Sequence, residues 1–141
     1  MTRLVELYER EGQSPWLDNL KRSWITSGEL ARWVERGVRG ITSNPTIFQK
    51  AIESGEGYDE QFASLVAEGR SIEDCYWELV TRDIRAALAV LRPTYDASDG
   101  LDGYVSVEVA PSLARDTQGT LEAARRLHEA IDEPNLYVKI P

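Results

Sequence analysis

Residues 102–111 read DGYVSVEVAP, and residues 135–141 read NLYVKIP. Both stretches alternate apolar and polar positions with the period of two that marks a half-covered β-strand. In the first, Val105, Val107 and Val109 point one way, and Tyr104, Ser106 and Glu108 the other. In the second, Leu136, Val138 and Ile140 form one set and Lys139 lies opposite. A strand covered by helices turns its apolar set toward them. Glu108 and Lys139 therefore face away from the helices, each near the C-terminal end of its strand.

Working outward, two more strands are expected, at Trp16–Asp18 and at Val38–Ser43. Helical patterns separate the strands. Leu4, Val5, Leu7 and Tyr8 give a short amphipathic helix closed by Gly12. Thr26 and Glu29 have the spacing of a capping box, opening a helix lined by Leu30, Trp33 and Val34 and stopped at Gly37. Pro45 suits the first position of a helix that runs to about Ser54, with Asn44 or Ser43 as its N-cap. Residues 58–68 predict another helix. Ser71 and Asp74 open a long one from Ile72 to about Leu91, stopped by Pro93. Residues 116–132 form the last, with Leu121, Ala124, Leu127, His128 and Ile131 on or beside one face.

Strands alternating with helices argue for parallel βα units with right-handed crossovers. No GxGxxG follows any strand, which counts against a dinucleotide-binding domain. The remaining common solution is a parallel (β/α) barrel of the TIM type, which needs eight strands and about 250 residues. Four strands in 141 residues supply half of one. No linker, repeat or low-complexity tract divides the chain, so residues 1–141 read as one N-terminal half barrel with no second domain.

The totals narrow the functional classes. Apolar residues make up 42% and charged residues 28%, and the formal net charge is −8. A chain this acidic is not expected to bind nucleic acid or anionic membranes non-specifically. The single cysteine, Cys75, allows no intrachain disulfide and reads as a small core residue in a reducing compartment. The N-terminal residues hold no uninterrupted apolar run of signal-peptide or membrane-span type. A cytoplasmic location is the expectation.

The strands deliver polar groups to one end. Leu17 and Asp18 point oppositely, so Asp18 faces inward with Glu108 and Lys139, and Asn44 directly follows the second strand. The C-terminal ends of the strands are where barrel enzymes keep their active sites. A lysine with two carboxylates and an amide suggests amine catalysis: a neutral amine attacks a ketone or aldehyde and forms a Schiff base. Burial favours a neutral amine, whereas a neighbouring carboxylate favours an ammonium. A buried structural ion pair is the competing explanation for an isolated strand lysine. Convergence of polar groups from four strands favours chemistry.

The segment WLDNLKRSWITSGELARWVERGVRGITSNPTIFQKAI, residues 16–52, resembles the transaldolase signature. Residues 83–111 and NLYVKIP continue the resemblance in order, over nearly the whole chain. TSNPTIF and VKIP at this separation are its most specific parts, and the details are most similar to actinobacterial-type transaldolases, some of which are fused to glucose-6-phosphate isomerase. The resemblance implies a (β/α)8 barrel without metal or organic cofactor. It implies transfer of a dihydroxyacetone unit from sedoheptulose 7-phosphate to glyceraldehyde 3-phosphate, in the pentose phosphate pathway, giving erythrose 4-phosphate and fructose 6-phosphate. By the same resemblance Lys139 matches the Schiff-base lysine and Asp18 the group that deprotonates the donor C4 hydroxyl. Glu108 matches the residue that works through a water, Asn44 the amide that holds the dihydroxyacetone moiety, and Thr42 a lesser, supporting group. The related fructose 6-phosphate aldolases usually carry glutamine where this chain has Glu108.

The family's remaining strands supply a threonine, a serine and the phosphate-binding groups, and these have no counterpart here. The expectation is a piece that is inactive alone, and that self-associates or is completed by a C-terminal half. A non-catalytic self-associating half barrel and a fructose 6-phosphate aldolase-type lyase are the alternatives. His128 reads as a half-exposed helix residue. Trp16, Trp24, Trp33 and Trp77 read as packing residues, with Trp16 a candidate for the pocket mouth. Arg125 and Arg126 read as a solvated face.

Overall fold

A computed structural model describes residues 1–141. Helix α1 (Arg3–Glu11) is followed by strand β1 (Trp16–Leu17), α2 (Arg22–Thr26), α3 (Glu29–Glu35) and β2 (Gly40–Ile41). Helices α4 (Pro45–Glu53), α5 (Asp59–Ala67) and α6 (Ile72–Ala97) lead to β3 (Tyr104–Glu108). A 3-10 turn (Pro111–Leu113), α7 (Thr117–Ile131) and β4 (Leu136–Lys139) complete the chain. The strands form one parallel sheet in the order β1-β2-β3-β4, open at both edges. No helix is long and apolar enough to cross a membrane.

The covered face of the sheet carries the core. Val105, Val107 and Val109 are at most 1% exposed, which bears out the alternation read from residues 104–109. Helix α6 supplies the opposing surface with Val80, Ile84, Leu88 and Leu91, joined by Leu20, Leu30, Ile41 and Phe48. Each fully buried aliphatic side chain of this kind contributes about 1.5–3 kcal/mol. Cys75, Leu79, Asp83, Ala87 and Leu91 repeat every fourth residue along α6, and all five are buried.

The charged member of that row, Asp83, is fully partnered. Arg22 Nε donates to its Oδ1 at 2.6 Å, and the Tyr58 hydroxyl donates to Oδ2 at 2.6 Å. The rest of the guanidinium donates to the carbonyls of Gly57 and Leu79, and it lies over the Tyr58 ring at 4.2 Å. This network pins α2 and α5 to α6.

The opposite face of the sheet has two tiers. Toward the N-terminal ends of the strands, Tyr104 stacks on Tyr137 with centroids 4.0 Å apart, and Trp16 stacks on Tyr137 at 6.2 Å. Gly40 lies beneath the Trp16 indole, and a Cβ there would come within 2.2 Å of the ring. Only glycine leaves room for this packing. Trp16, two residues before Asp18 and paired across the sheet with Gly40, thus lies one tier below Asp18 and is not among the residues that line the cavity with it.

Several expected boundaries are corrected. Helix α6 continues through Pro93 to Ala97. Proline removes the bond to Ala89, but both residues are exposed, so water can reach the freed carbonyl. Thr26 ends α2 instead of opening the next helix; its hydroxyl donates to the carbonyls of Arg22 and Ser23. Gly28, at φ 75°, precedes α3, and the turn between the two helices absorbs the capping-box spacing. Strand pairing in the second strand covers only Gly40–Ile41. Ile140 lies past β4 and is 63% exposed, so it does not join the covered set. Leu121 and His128 are exposed on α7.

Candidate active site

The upper tier of the open face is built from strand ends. Asn44 leaves β2 in extended geometry and caps α4: its Oδ1 accepts a hydrogen bond from Ile47 N at 2.9 Å. That bond orients the amide, so its nitrogen is the group left free to donate. Pro45 begins the helix, as its fixed φ and missing donor allow. Ser43, just before it, is fully buried and bonds the Ser106 backbone and hydroxyl, which locks the end of β2 to β3.

Glu108 and Lys139 are register partners on β3 and β4. Lys139 Nζ lies 3.1 Å from Glu108 Oε2 and donates to the Ser43 carbonyl at 3.4 Å. The lysine side chain is 41% exposed and the glutamate 14%. An ammonium has three donors, and this one has two protein partners. On the other side of the site, Thr42 Oγ1 donates to Asp18 Oδ1 at 2.5 Å. Asp18 is exposed, so its second oxygen is open to solvent.

Asp18, Asn44 and Glu108 line one cavity of about 540 Å³, with Thr46 and Lys50 among its other walls. Lys139 does not line it directly and joins through Glu108 and Ser43. An apolar cavity of about 530 Å³ adjoins it and shares Pro45 and Pro111. Tyr76 of α6 lines this second cavity and packs edge-on against Trp77. Burial, and then the negative charge of Glu108, push the Tyr76 phenol above its ordinary value. Strand alternation could not find Tyr76, because it belongs to a helix whose pattern reads only as core packing. Lys50, in the same run of sequence as Asn44, lines the cavity with it.

Comparison with known proteins bears on what such a site is for. The family model described as transaldolase/fructose-6-phosphate aldolase matches residues 15–141. The chain belongs to that family. Transaldolase 1 of Streptomyces avermitilis is 48% identical over 145 residues, covering 100% of this chain and 38% of that protein. The transaldolase of Thiobacillus denitrificans is 50% identical over 133 residues, covering 94% of this chain and 37% of its own length. Transaldolase 2 of Nostoc punctiforme is 51% identical over 139 residues, covering 98% and 36%. The chain therefore spans somewhat over a third of the length of these relatives, and all four of its strands fall inside the family match.

Proposed function

We propose that this chain carries the Schiff-base half of a transaldolase site, which moves a dihydroxyacetone unit between sugar phosphates. The observation that carries the reading is the Lys139–Glu108 pair, 3.1 Å apart on adjacent strand ends. It stands beside the cavity that Asp18 and Asn44 line, in a chain of this family. The four strands are then the first half of a (β/α)8 barrel, one domain over residues 1–141, closed by further strands or by self-association. A cytoplasmic enzyme of the pentose phosphate pathway, with no cofactor, fits this reading.

The chemistry divides among the residues as follows. Lys139 gives up a proton, for which the Glu108 carboxylate is the nearby acceptor. The neutral amine attacks the donor ketone carbon and forms a carbinolamine. Glu108, through a water, returns a proton to the hydroxyl, which leaves as water and yields the iminium ion. Asp18 then takes the proton of the C4 hydroxyl. The C3–C4 bond breaks, its electron pair moves into the iminium, and an aldehyde departs. The remaining enamine attacks the acceptor aldehyde by the reverse steps, and hydrolysis frees the lysine. Thr42 holds Asp18 in place by its hydrogen bond, and the Asn44 amide donates to the dihydroxyacetone oxygens.

Borohydride reduction of the full-length gene product with fructose 6-phosphate tests the assignment. A stable adduct at Lys139, absent from Lys139→Ala, is the expected result. No adduct on the unaltered protein would sink the Schiff-base reading. Glyceraldehyde 3-phosphate dependence of sedoheptulose 7-phosphate turnover separates transfer from the simple cleavage expected of an aldolase-type lyase.

A further inference from the structure

The lysine at the end of β4 is held at both ends. Its backbone carbonyl accepts from Val109 N at 3.1 Å. Its ammonium reaches back across the sheet, to Glu108 of β3 at 3.1 Å and to the Ser43 carbonyl beyond β2 at 3.4 Å. These two partners differ in kind. Glu108 can take a proton from the nitrogen, so its hold changes when the ion pair is discharged. A backbone carbonyl takes no proton, and it accepts an N–H from an ammonium and from a neutral amine alike.

Where that carbonyl sits is decided by two serines. Backbone pairing of β2 with β3 covers Gly40 and Ile41 and stops there. Beyond it the strands are joined through hydroxyls. Ser43 Oγ donates to the Ser106 carbonyl at 2.5 Å, and Ser43 N donates to Ser106 Oγ at 3.3 Å. Ser43 is 0% exposed and Ser106 2%, so water cannot replace either bond. Thr42, the residue before, donates its backbone N–H to the Leu17 carbonyl at 2.9 Å and stays tied to β1. Asn44, the residue after, caps α4. Ser43 is thus fixed by its own two bonds and by both neighbours.

We propose that the Ser43–Ser106 hydroxyl pair is a positioning device for Lys139: it fixes the Ser43 carbonyl, which keeps the amine in place after Glu108 has taken its proton. The proposal rests on the reading of Lys139 as the Schiff-base lysine. Neither serine lines the cavity that Asp18, Asn44 and Glu108 share. Both act through the lysine, whose side chain is 41% exposed and has no third protein partner to stop it swinging into solvent. Attack on a carbonyl carbon tolerates little error in the position of the nitrogen, and a displacement of about 1 Å can cost about a hundredfold in rate.

The test is the rate of adduct formation with fructose 6-phosphate in excess borohydride. It compares the full-length gene product with Ser43→Ala, Ser106→Ala and Ser43→Thr, which keeps the hydroxyl. The expected result is a saturating rate about tenfold or more lower in both alanine variants. The half-saturating fructose 6-phosphate concentration should change less than about twofold, and Ser43→Thr should recover most of the rate. A variant that was merely less folded would lose final adduct yield and keep the rate. Should Ser43→Ala not fold, Ser106→Ala carries the same comparison. Unchanged rates in the alanine variants, or a rate lost equally in Ser43→Thr, would overturn the proposal and leave the Schiff-base reading standing. No adduct on the unaltered protein overturns both.

Discussion

Two acid–base pairs of this molecule contain the same chemistry in opposite settings. Arg22 and Asp83 are 7% and 2% exposed, and each guanidinium nitrogen and each carboxylate oxygen has a partner inside the chain, among Tyr58, Gly57, Leu79 and each other. Lys139 and Glu108 sit at an open strand end, 41% and 14% exposed, with the Ser43 carbonyl as the lysine's one other protein partner. The first pair is a fastener. The second holds an amine beside a proton acceptor while leaving room for a third molecule. What separates the two pairs is exposure: the first is closed off from solvent, whereas Lys139 is half-exposed and Glu108 lines a cavity.

The contrast can be broken most sharply at Lys139. Lys139→Ala is expected to abolish reductive trapping completely while shifting stability by less than about 1 kcal/mol in urea denaturation, as befits a half-exposed pair. Next comes Arg22→Met, which strands the Asp83 charge in the core. A loss of about 3–5 kcal/mol is expected, and a loss below 1 kcal/mol would mean the fastener is misread. Replacing Arg22 and Asp83 together by apolar residues should recover much of that loss. Gly40→Ala tests the tier beneath the site. A Cβ driven into the Trp16 ring should cost about 1–3 kcal/mol and disturb the stacked aromatics, visible in near-ultraviolet circular dichroism.

The smallest effect is a pH dependence that also distinguishes the two pairs. Burial, followed by the hydrogen bond to Asp83, raises the Tyr58 phenol. Burial, followed by the Glu108 charge, raises Tyr76. Both phenols are held protonated in the folded chain beyond the pH at which the unfolded chain loses those protons, near 10. Their contribution to stability is fully present below that value and declines as pH rises through the folded-state values. Phenolate absorbance should show Tyr76 titrating earlier in Glu108→Gln, with Tyr58 unmoved. A shift of Tyr58 alone would contradict the placement of Glu108 beside Tyr76.

Much of this arrangement is legible in the chain itself. Period-two alternation places Val105, Val107 and Val109 in the core and puts Glu108 and Lys139 on the other face, because a strand has only two sides. The proline after Asn44 marks a helix start, because few other backbone sites tolerate it. Asp83 is equally legible, since its spacing of four from Leu79 and Ala87 puts it on the buried row of α6. Pro93 departs from the usual stop because it and Ala89, whose carbonyl it leaves without a helix bond, are both exposed, so water can take the place of that bond. The tier of Trp16, Tyr104 and Tyr137 depends on strand register, which pairing across the sheet decides and no local pattern contains. Tyr76 and Lys50 approach the site from helices, where position along the chain says little about which cavity a side chain will reach.

Asn44 carries one more implication. Its oxygen is occupied by the helix and the residue lines the cavity, so on the proposed function a single side chain divides folding from recognition between two atoms. Aspartate would cap α4 as well as asparagine does, yet it would present the cavity with a second acceptor in place of a donor. A one-atom exchange could therefore silence recognition in a chain that still folds, which makes this position a place where lineages of the same fold can part company in function without first paying in stability.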